Sequence, residues 1–133
     1  MAEPVVVTIT STGDFVLPED QPCPATVEAV GPGGGGKAAS TLNNGGGGGG
    51  GAYAAVDLTL DPEVTYSAVI GAIGTGGVGS GTNGGNAGDV EFRQGVSVLL
   101  RAKGGSGSTG TAGAAGGQAA DCIGDVARNG GTG

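Results

Sequence analysis

The sequence predicts an all-β fold: a small antiparallel β-sandwich of about six or seven short strands, with interleaved glycine-rich segments in a polyglycine-II-like conformation. Runs rich in Val, Ile and Leu alternate with glycine blocks, and glycine makes up 34 of the 133 residues. No window places apolar residues at i, i+3, i+4 and i+7 without an intervening glycine, which argues against an amphipathic helix. One domain is expected at this length, with a strand-rich part at residues 1–103 and a Gly/Ala/Ser-rich tail at residues 104–133.

Three strands are predicted before the first glycine block. Residues 5–10 have high β-propensity because they are mostly Val, Ile and Thr. Residues 15–17 predict a second short strand, which Pro18 ends because proline has no amide to donate. Residues 25–30 show partial alternation of apolar and polar side chains and predict a third strand.

Further strands are predicted between the later glycine blocks. Residues 52–60 alternate between apolar and polar side chains, as a half-buried strand does. Residues 65–73 predict the next strand, which is apolar on both faces near Val69 and Ile70 and is therefore expected to be buried. Residues 89–93 and 96–103 predict a hairpin that turns about Gln94 and Gly95.

The glycine-rich segments carry the candidate assembly or binding residues. Ordered glycine costs about 0.5–1 kcal/mol more than alanine in a regular element, so order would require dense hydrogen bonding or burial against other subunits. Such segments can form extended helices that rise about 3.1 Å per residue and pack through N–H···O and Cα–H···O contacts; a flexible linker is the alternative. The candidates are Gly33, Gly34, Gly35, Gly36, Gly45, Gly46, Gly47, Gly48, Gly49, Gly50, Gly51 and Tyr53.

Three glycine motifs imitate ligand-binding sequences. Residues 31–38 satisfy GxxxxGK, but Ala38 stands where Mg²⁺ needs a Ser or Thr hydroxyl. Residues 74–79 satisfy GxGxxG without a following helix to receive a pyrophosphate, and the calcium-roll-like residues 84–89 occur once where stacking needs several copies. The chain has no histidine, so a Ser/His/Asp triad is excluded. We therefore expect no catalytic residue, no cofactor and no metal site.

Charge and hydrophobicity argue against nucleic acid and the membrane interior as partners. The net charge is −7 with five scattered basic residues, which provide no basic patch for nucleic acid. No apolar stretch approaches the ~20 residues of a membrane span, so membrane insertion is not expected. The N-terminus lacks the basic residues of a secretory signal, and we expect synthesis in a bacterial cytosol.

Two cysteines, Cys23 and Cys122, lie far apart in the sequence and have no neighbouring Cys or His that would give a zinc-site spacing. Two interpretations stay open. The thiols remain reduced, or they form a disulfide, within or between chains, after release from the reducing cytosol.

The order of these features resembles the glycine-rich domain of tailed-bacteriophage fibre and virion surface proteins. The resemblance covers nearly the whole chain, from about residue 8 to the end. It is carried by residues 13–18, 25–34, the run 45–51 that closes on Ala52-Tyr53-Ala54, residues 66–74, and Ala102-Lys103-Gly104-Gly105 with the tail after it. The first strands have few aromatic residues beyond Phe15 and the sequence starts at Met1 without an attachment domain, which favours a small virion component over a long fibre.

The resemblance implies a non-catalytic virion structural protein that is made in the host cytoplasm and displayed on the particle surface as a fibre, tip, head or neck appendage, or decoration component. Its partners would be other virion proteins, further copies of the chain in a homotrimer, and a host cell-surface receptor. One alternative is a tail-fibre adhesin that recognises a host surface glycan or outer-membrane protein, and another is a bacterial glycine-rich surface protein. The thin core of small side chains also favours self-association.

Overall fold

Short strands and extended glycine-rich segments alternate through residues 5–133, the part of the chain that the computed structural model describes. The strands are β1 (Gly13–Val16), β2 (Cys23–Val30), β3 (Tyr53–Leu60), β4 (Thr65–Val69), β5 (Val90–Gln94), β6 (Ser97–Ala102) and β7 (Val126–Arg128). Helical structure within that range is limited to a 3₁₀ turn at Ala119–Asp121. The predicted all-β fold is confirmed.

The strands form two antiparallel sheets, one with the order β1-β4-β5-β6 and the other with the order β2-β3-β7. The inner side chains of the two sheets pack together, as predicted for a β-sandwich. Tyr66 stacks on Phe92 with ring centroids 5.3 Å apart, and Phe15 tilts against Phe92 at 6.2 Å. The buried cluster consists of Leu17, Ala29, Ala54, Leu60, Tyr66, Phe92, Leu100 and Ala102.

Two strand predictions were wrong in whole or in part. Residues 5–10 form no strand and are exposed, because no neighbouring strand pairs with them; β-propensity measures fit to a pleated sheet and is not sufficient without one. The strand predicted over residues 65–73 ends at Val69, and Ile73 is 76% exposed. The chain leaves the sheet there because Gly71 begins an extended glycine-rich segment.

The glycine-rich residues form a second, ordered half of the molecule, which we call the glycine lattice. Each of its segments follows or precedes a strand, except the sixth, which leads into the 3₁₀ turn. The segments, named g1 to g7 in chain order, are residues 31–38, 45–52, 71–77, 82–88, 103–108, 112–118 and 129–133.

Hydrogen bonding in the lattice repeats every third residue. Every third amide of g1 donates to g2: Gly31 N to Ala52 O (2.8 Å), Gly34 N to Gly49 O (2.8 Å) and Lys37 N to Gly46 O (2.9 Å). The amides that follow two of these donate to g4: Gly35 N to Gly85 O (2.9 Å) and Ala38 N to Thr82 O (3.0 Å). A period of three is that of a polyproline-II-type helix, and the predicted polyglycine-II-like segments are confirmed.

These bonds arrange the segments in two layers. The first layer has the order g3-g1-g2-g7, and the second has the order g4-g5-g6, each of its members bonded to two neighbours in the first. Segments g1, g2 and g7 are continuous with β2, β3 and β7, so the first layer extends that sheet. The molecule therefore has a sandwich end with a side-chain core and a lattice end held by backbone hydrogen bonds.

Candidate binding surface

The predicted assembly residues divide according to their position in the lattice. At the interior positions an added Cβ would overlap the backbone of a neighbouring segment; these are Gly34, Gly35, Gly45, Gly46, Gly48, Gly49 and Gly51. Their Cα–H groups face backbone atoms, mostly carbonyl oxygens, where only glycine fits. The interior glycines therefore hold the lattice together, and a role in binding other molecules remains a prediction for the outer positions.

The outer positions of g1 and g2 in the first layer form a surface almost free of side chains, which we call the glycine face. An added Cβ at Gly33, Gly36, Gly47 or Gly50 would meet no heavy atom closer than 3.3 Å. The outer face of the second layer differs because it bears exposed side chains at Asn83, Asn86, Ser106, Ala115 and Gln118. The two faces of the lattice therefore present different chemistry, backbone on one side and mostly polar side chains on the other.

Three loops meet at the far end of the lattice, and we call them the tip loops: residues 39–44, 78–81 and 109–111. Segments g3 and g5 run parallel to g1, because successive bonds advance in the same direction along both chains. Gly74 N donates to Gly33 O and Gly77 N to Gly36 O, while Gly105 N donates to Pro32 O and Ser108 N to Gly35 O, all at 2.9 Å. Parallel segments end on the same side of the lattice. The loops that follow them therefore lie together at the end opposite the sandwich.

The tip loops are tied to one another by hydrogen bonds. The Lys37 ammonium group donates to Asn83 Oδ1 (3.0 Å) and to Thr109 O (2.9 Å). The Gly81 amide donates to Ala39 O (3.1 Å), which joins the first two loops. Gly81 has a φ of 73°, a conformation that disfavours other residues. These contacts fix the backbone of the tip.

Two apolar side chains project from the tip. Leu42 is 89% exposed in the first loop, and Val78 is 86% exposed in the second. The sequence does not reveal this surface, because residues 37–44 have the composition of an ordinary polar loop and Lys37 completes the nucleotide-like GxxxxGK motif. The tip could have been inferred from the repeated order of a glycine-rich segment, a short loop and a second glycine-rich segment, which occurs three times in the chain.

The nucleotide-like motifs are part of the lattice. In residues 31–38 the amides of Gly34, Gly35 and Lys37 donate to carbonyl oxygens of g2 and g4. In residues 74–79 the amides of Gly74 and Gly77 donate to g1 at 2.9 Å. The amides that are bonded in this way are not free to bind a phosphate group, and the Lys37 ammonium is bound to Asn83 and Thr109.

A shallow depression of about 590 Å³ lies on the outer face of the three-stranded sheet. Its polar groups bond to one another: Tyr53 Oη donates to Glu28 Oε1 (2.8 Å), and Thr26 Oγ1 donates to Asp57 Oδ1 (2.6 Å). The hydrogen bond to the Glu28 carboxylate raises the pKa of Tyr53. Tyr53, predicted as an assembly or binding residue, is thus committed to a bond within the sheet.

Paired charges cover the outer face of the four-stranded sheet. Burial raises the pKa of Asp89, but hydrogen bonds from Lys103 Nζ (2.7 Å) and the Gly104 amide (3.1 Å) outweigh it and hold that pKa below its ordinary value. Burial also raises the pKa of Glu91, and hydrogen bonds from Arg101 and Arg93 bring it below the ordinary range. These groups form an ion-pair network that joins β5 and β6.

A cleft of about 890 Å³ opens on the side of the sandwich where β1 and β2 are the sheet edges. It is apolar along much of its length, with Phe15, Cys23 and Val27 among its lining residues, and residues 5–9 run along it. Cys23 is half-buried there. Cys122 is also half-buried after the 3₁₀ turn, and both are free thiols. Disulfide formation by these two cysteines remains a prediction.

Residues 5–133 contain no helix with the length and apolar character required to cross a membrane. They also place no group of three or more His, Cys, Asp or Glu side chains where they could hold a metal ion.

The sandwich, the lattice that continues it and the tip loops define a class of all-β protein in which ordered glycine segments support surface loops. The family model described as a glycine-rich domain matches residues 10–133, and the chain belongs to this family. No curated protein and no solved structure matches the chain.

Proposed function

We propose that this chain is a non-catalytic structural protein of a bacteriophage virion, made in the host cytoplasm and displayed on the particle surface. It acts by assembly with other virion proteins and with copies of itself as a homotrimer. The observation that carries the proposal is the glycine lattice, whose backbone hydrogen bonds hold three tip loops at the end opposite the sandwich.

The lattice suits display because its stability depends little on the sequence of the tip. Interior contacts are made by backbone atoms within the segments, and the loops begin only after the segments end. Loop residues can therefore change while the scaffold keeps its hydrogen bonds. The resemblance to glycine-rich domains of phage fibre and surface proteins favours a virion as the setting.

The proposal is tested on purified particles of the phage that encodes the chain. Mass spectrometry should find the chain at a fixed copy number, and gold-labelled antibodies against it should bind intact particles at a defined position. A chain that is abundant in infected cells but missing from density-purified particles would show that the proposed setting is wrong.

A second candidate function, adhesion to a host surface glycan or outer-membrane protein, is favoured by the exposed Leu42 and Val78 at the tip. The double variant Leu42→Ser/Val78→Ser should then weaken binding of the purified protein to host cells by at least about tenfold, as loss of an apolar contact does. Val96→Ser is the matched control, because Val96 is 97% exposed in the β5–β6 turn at the other end. Equal binding by both variants and the parent would contradict adhesion through Leu42 and Val78, and only the structural role would remain.

A further inference from the structure

Residues 5–10 have the character of a strand without a partner. The segment carries no charge in a chain of net charge −7. Val5 and Val6 are 69% and 86% exposed, which is unusual for neighbouring apolar residues. Among residues 5–133 no backbone group donates a hydrogen bond to this segment or accepts one from it.

The longest open sheet edge of the molecule is β2. β2 spans 8 residues and pairs only with β3. The β6 edge is partly covered, since Arg101 and Ile123 exchange backbone hydrogen bonds of 2.9 and 3.0 Å. The remaining edges are shorter, with 4 residues in β1 and 3 in β7. An exposed edge of this length is a template for another strand.

The core lacks cover along this same edge. Cys23, Ala25 and Val27 alternate along β2 on the side that faces the core, yet they are only half-buried, whereas Ala29 is buried. They line the apolar cleft of about 890 Å³. A strand placed beside β2 would bond to the outward-facing carbonyls of this edge and to its outward-facing amides, except at Pro24, which has no amide. The apolar side chains of the added strand would reduce this exposure.

We propose that residues 5–10 of one copy of this chain add as a strand to the β2 edge of a second copy. The unpaired segment and the open edge are complementary in length, in apolar character and in backbone hydrogen-bonding capacity, as in other cases of strand addition. Each copy offers one donor segment and one acceptor edge, so the contact is head-to-tail, and such contacts form a ring when the rotation between copies closes. A ring of three copies would give the expected homotrimer. The inference does not depend on the proposed virion role.

Donation to a neighbour is favoured by the way the segment is anchored. The Ile70 amide donates to Thr12 Oγ1 (2.9 Å), which fixes the end of the segment beside the four-stranded sheet. β2 belongs to the other sheet, and packed sheets lie about 10 Å apart. In its own chain the segment accordingly runs along the cleft without bonding to β2.

The experiment uses Cys23 on β2 as a built-in reporter. In a Cys122→Ser background, Val5→Cys, Val7→Cys and Ile9→Cys are made separately in the full-length chain and oxidised, and the products are separated on non-reducing gels. At least one variant should give covalent species between chains that extend to a trimer. Val96→Cys in the same background is the control for random collision and should remain a monomer. A disulfide within one chain would overturn the proposal, because it would show that residues 5–10 lie beside β2 of their own chain.

A second measurement covers the case in which no cysteine is well placed. Light scattering should give the parent three times the 12.3 kDa chain mass. Val6→Pro/Thr8→Pro removes two amide donors and should yield a folded monomer, whereas Val6→Thr, which keeps the amide and the branched side chain, should remain a trimer. A monomeric parent, or a proline variant with the mass of the parent, would refute strand exchange. A trimer with exchanged strands that is missing from purified particles would contradict only the virion role.

Discussion

A glycine in this molecule has one of two quite different environments. The Cα of Gly48 faces the carbonyl oxygen of Gly34 in the neighbouring segment, and an added Cβ would overlap that group. Gly76, at the end of g3, has nothing within 4 Å of the same position. The sequence does not distinguish these two residues, because both lie in glycine-rich runs. Which glycines are required is decided by the neighbours that the fold brings to them.

Alanine substitutions should separate these two environments. Gly48→Ala forces rigid backbones apart, so we expect a loss of at least about 3 kcal/mol in the free energy of unfolding, the upper range for an overpacked site. Gly76→Ala should keep or raise stability, by up to ~1 kcal/mol, because alanine restricts the unfolded chain. Urea denaturation of both variants measures the difference. Equal stabilities would mean that g1 and g2 do not pack as described.

At the scale of elements, side-chain patterns located β1 to β6 at least in part, missed β7, and gave no information on which glycine segments are neighbours. The alternation over residues 52–60 located β3, which is found at Tyr53–Leu60, and the predicted hairpin about Gln94 and Gly95 is present. Glycine segments have no side-chain pattern that sets a register. The pairing of g1 with g2, g3, g4 and g5 therefore could not be predicted.

The candidate site was predictable only in part, for the same reason. The glycine runs were correctly predicted to be ordered, but their interior and outer residues could not be told apart without the neighbouring segments. The tip arises because parallel segments bring together loops that are distant in sequence. Its central bond, from Lys37 to Thr109, joins residues whose proximity depends on the lattice register.

Hydrogen exchange should show the three-residue period of the lattice. The amides of Gly34, Gly35 and Gly49 donate within the lattice and should exchange slowly, while those of Gly33 and Gly36 bond to no backbone group among residues 5–133 and should exchange quickly. Residue-resolved NMR exchange on the folded protein measures this. Uniformly fast exchange through residues 31–37 would identify the segment as a flexible linker.

At the scale of the whole molecule, stability should fall in acid through the ion-pair network on β5 and β6. Asp89 and Glu91 have folded-state pKa values below their ordinary values, so the unfolded chain takes up protons first as the pH falls. Their stabilisation is complete above the ordinary carboxyl pKa of about 4 and is lost as the pH drops through the lower folded values.

Glu91→Gln isolates part of this effect. The variant should be less stable than the parent at pH 7 by about 1–3 kcal/mol, because the charge-assisted hydrogen bonds from Arg93 and Arg101 are weakened. The difference between the two proteins should shrink as the pH falls below about 4. Thermal unfolding between pH 2 and pH 7 tests this, and a difference that is constant across that range would show that Glu91 is not an ionised partner in the fold.

Because the hydrogen bonds of the lattice repeat every three residues, the effect of an insertion depends on whether its length is a multiple of three. Inserting three residues into g1, g3 or g5 adds one full turn, moves the following tip loop outward by about 9 Å and leaves every amide pointing toward its former neighbour. Inserting one or two residues rotates the rest of the segment by about one or two thirds of a turn and directs its amides toward the wrong neighbour. Length changes within g1, g3 and g5 should therefore be tolerated in whole turns, whereas the tip loops can accept insertions of any length.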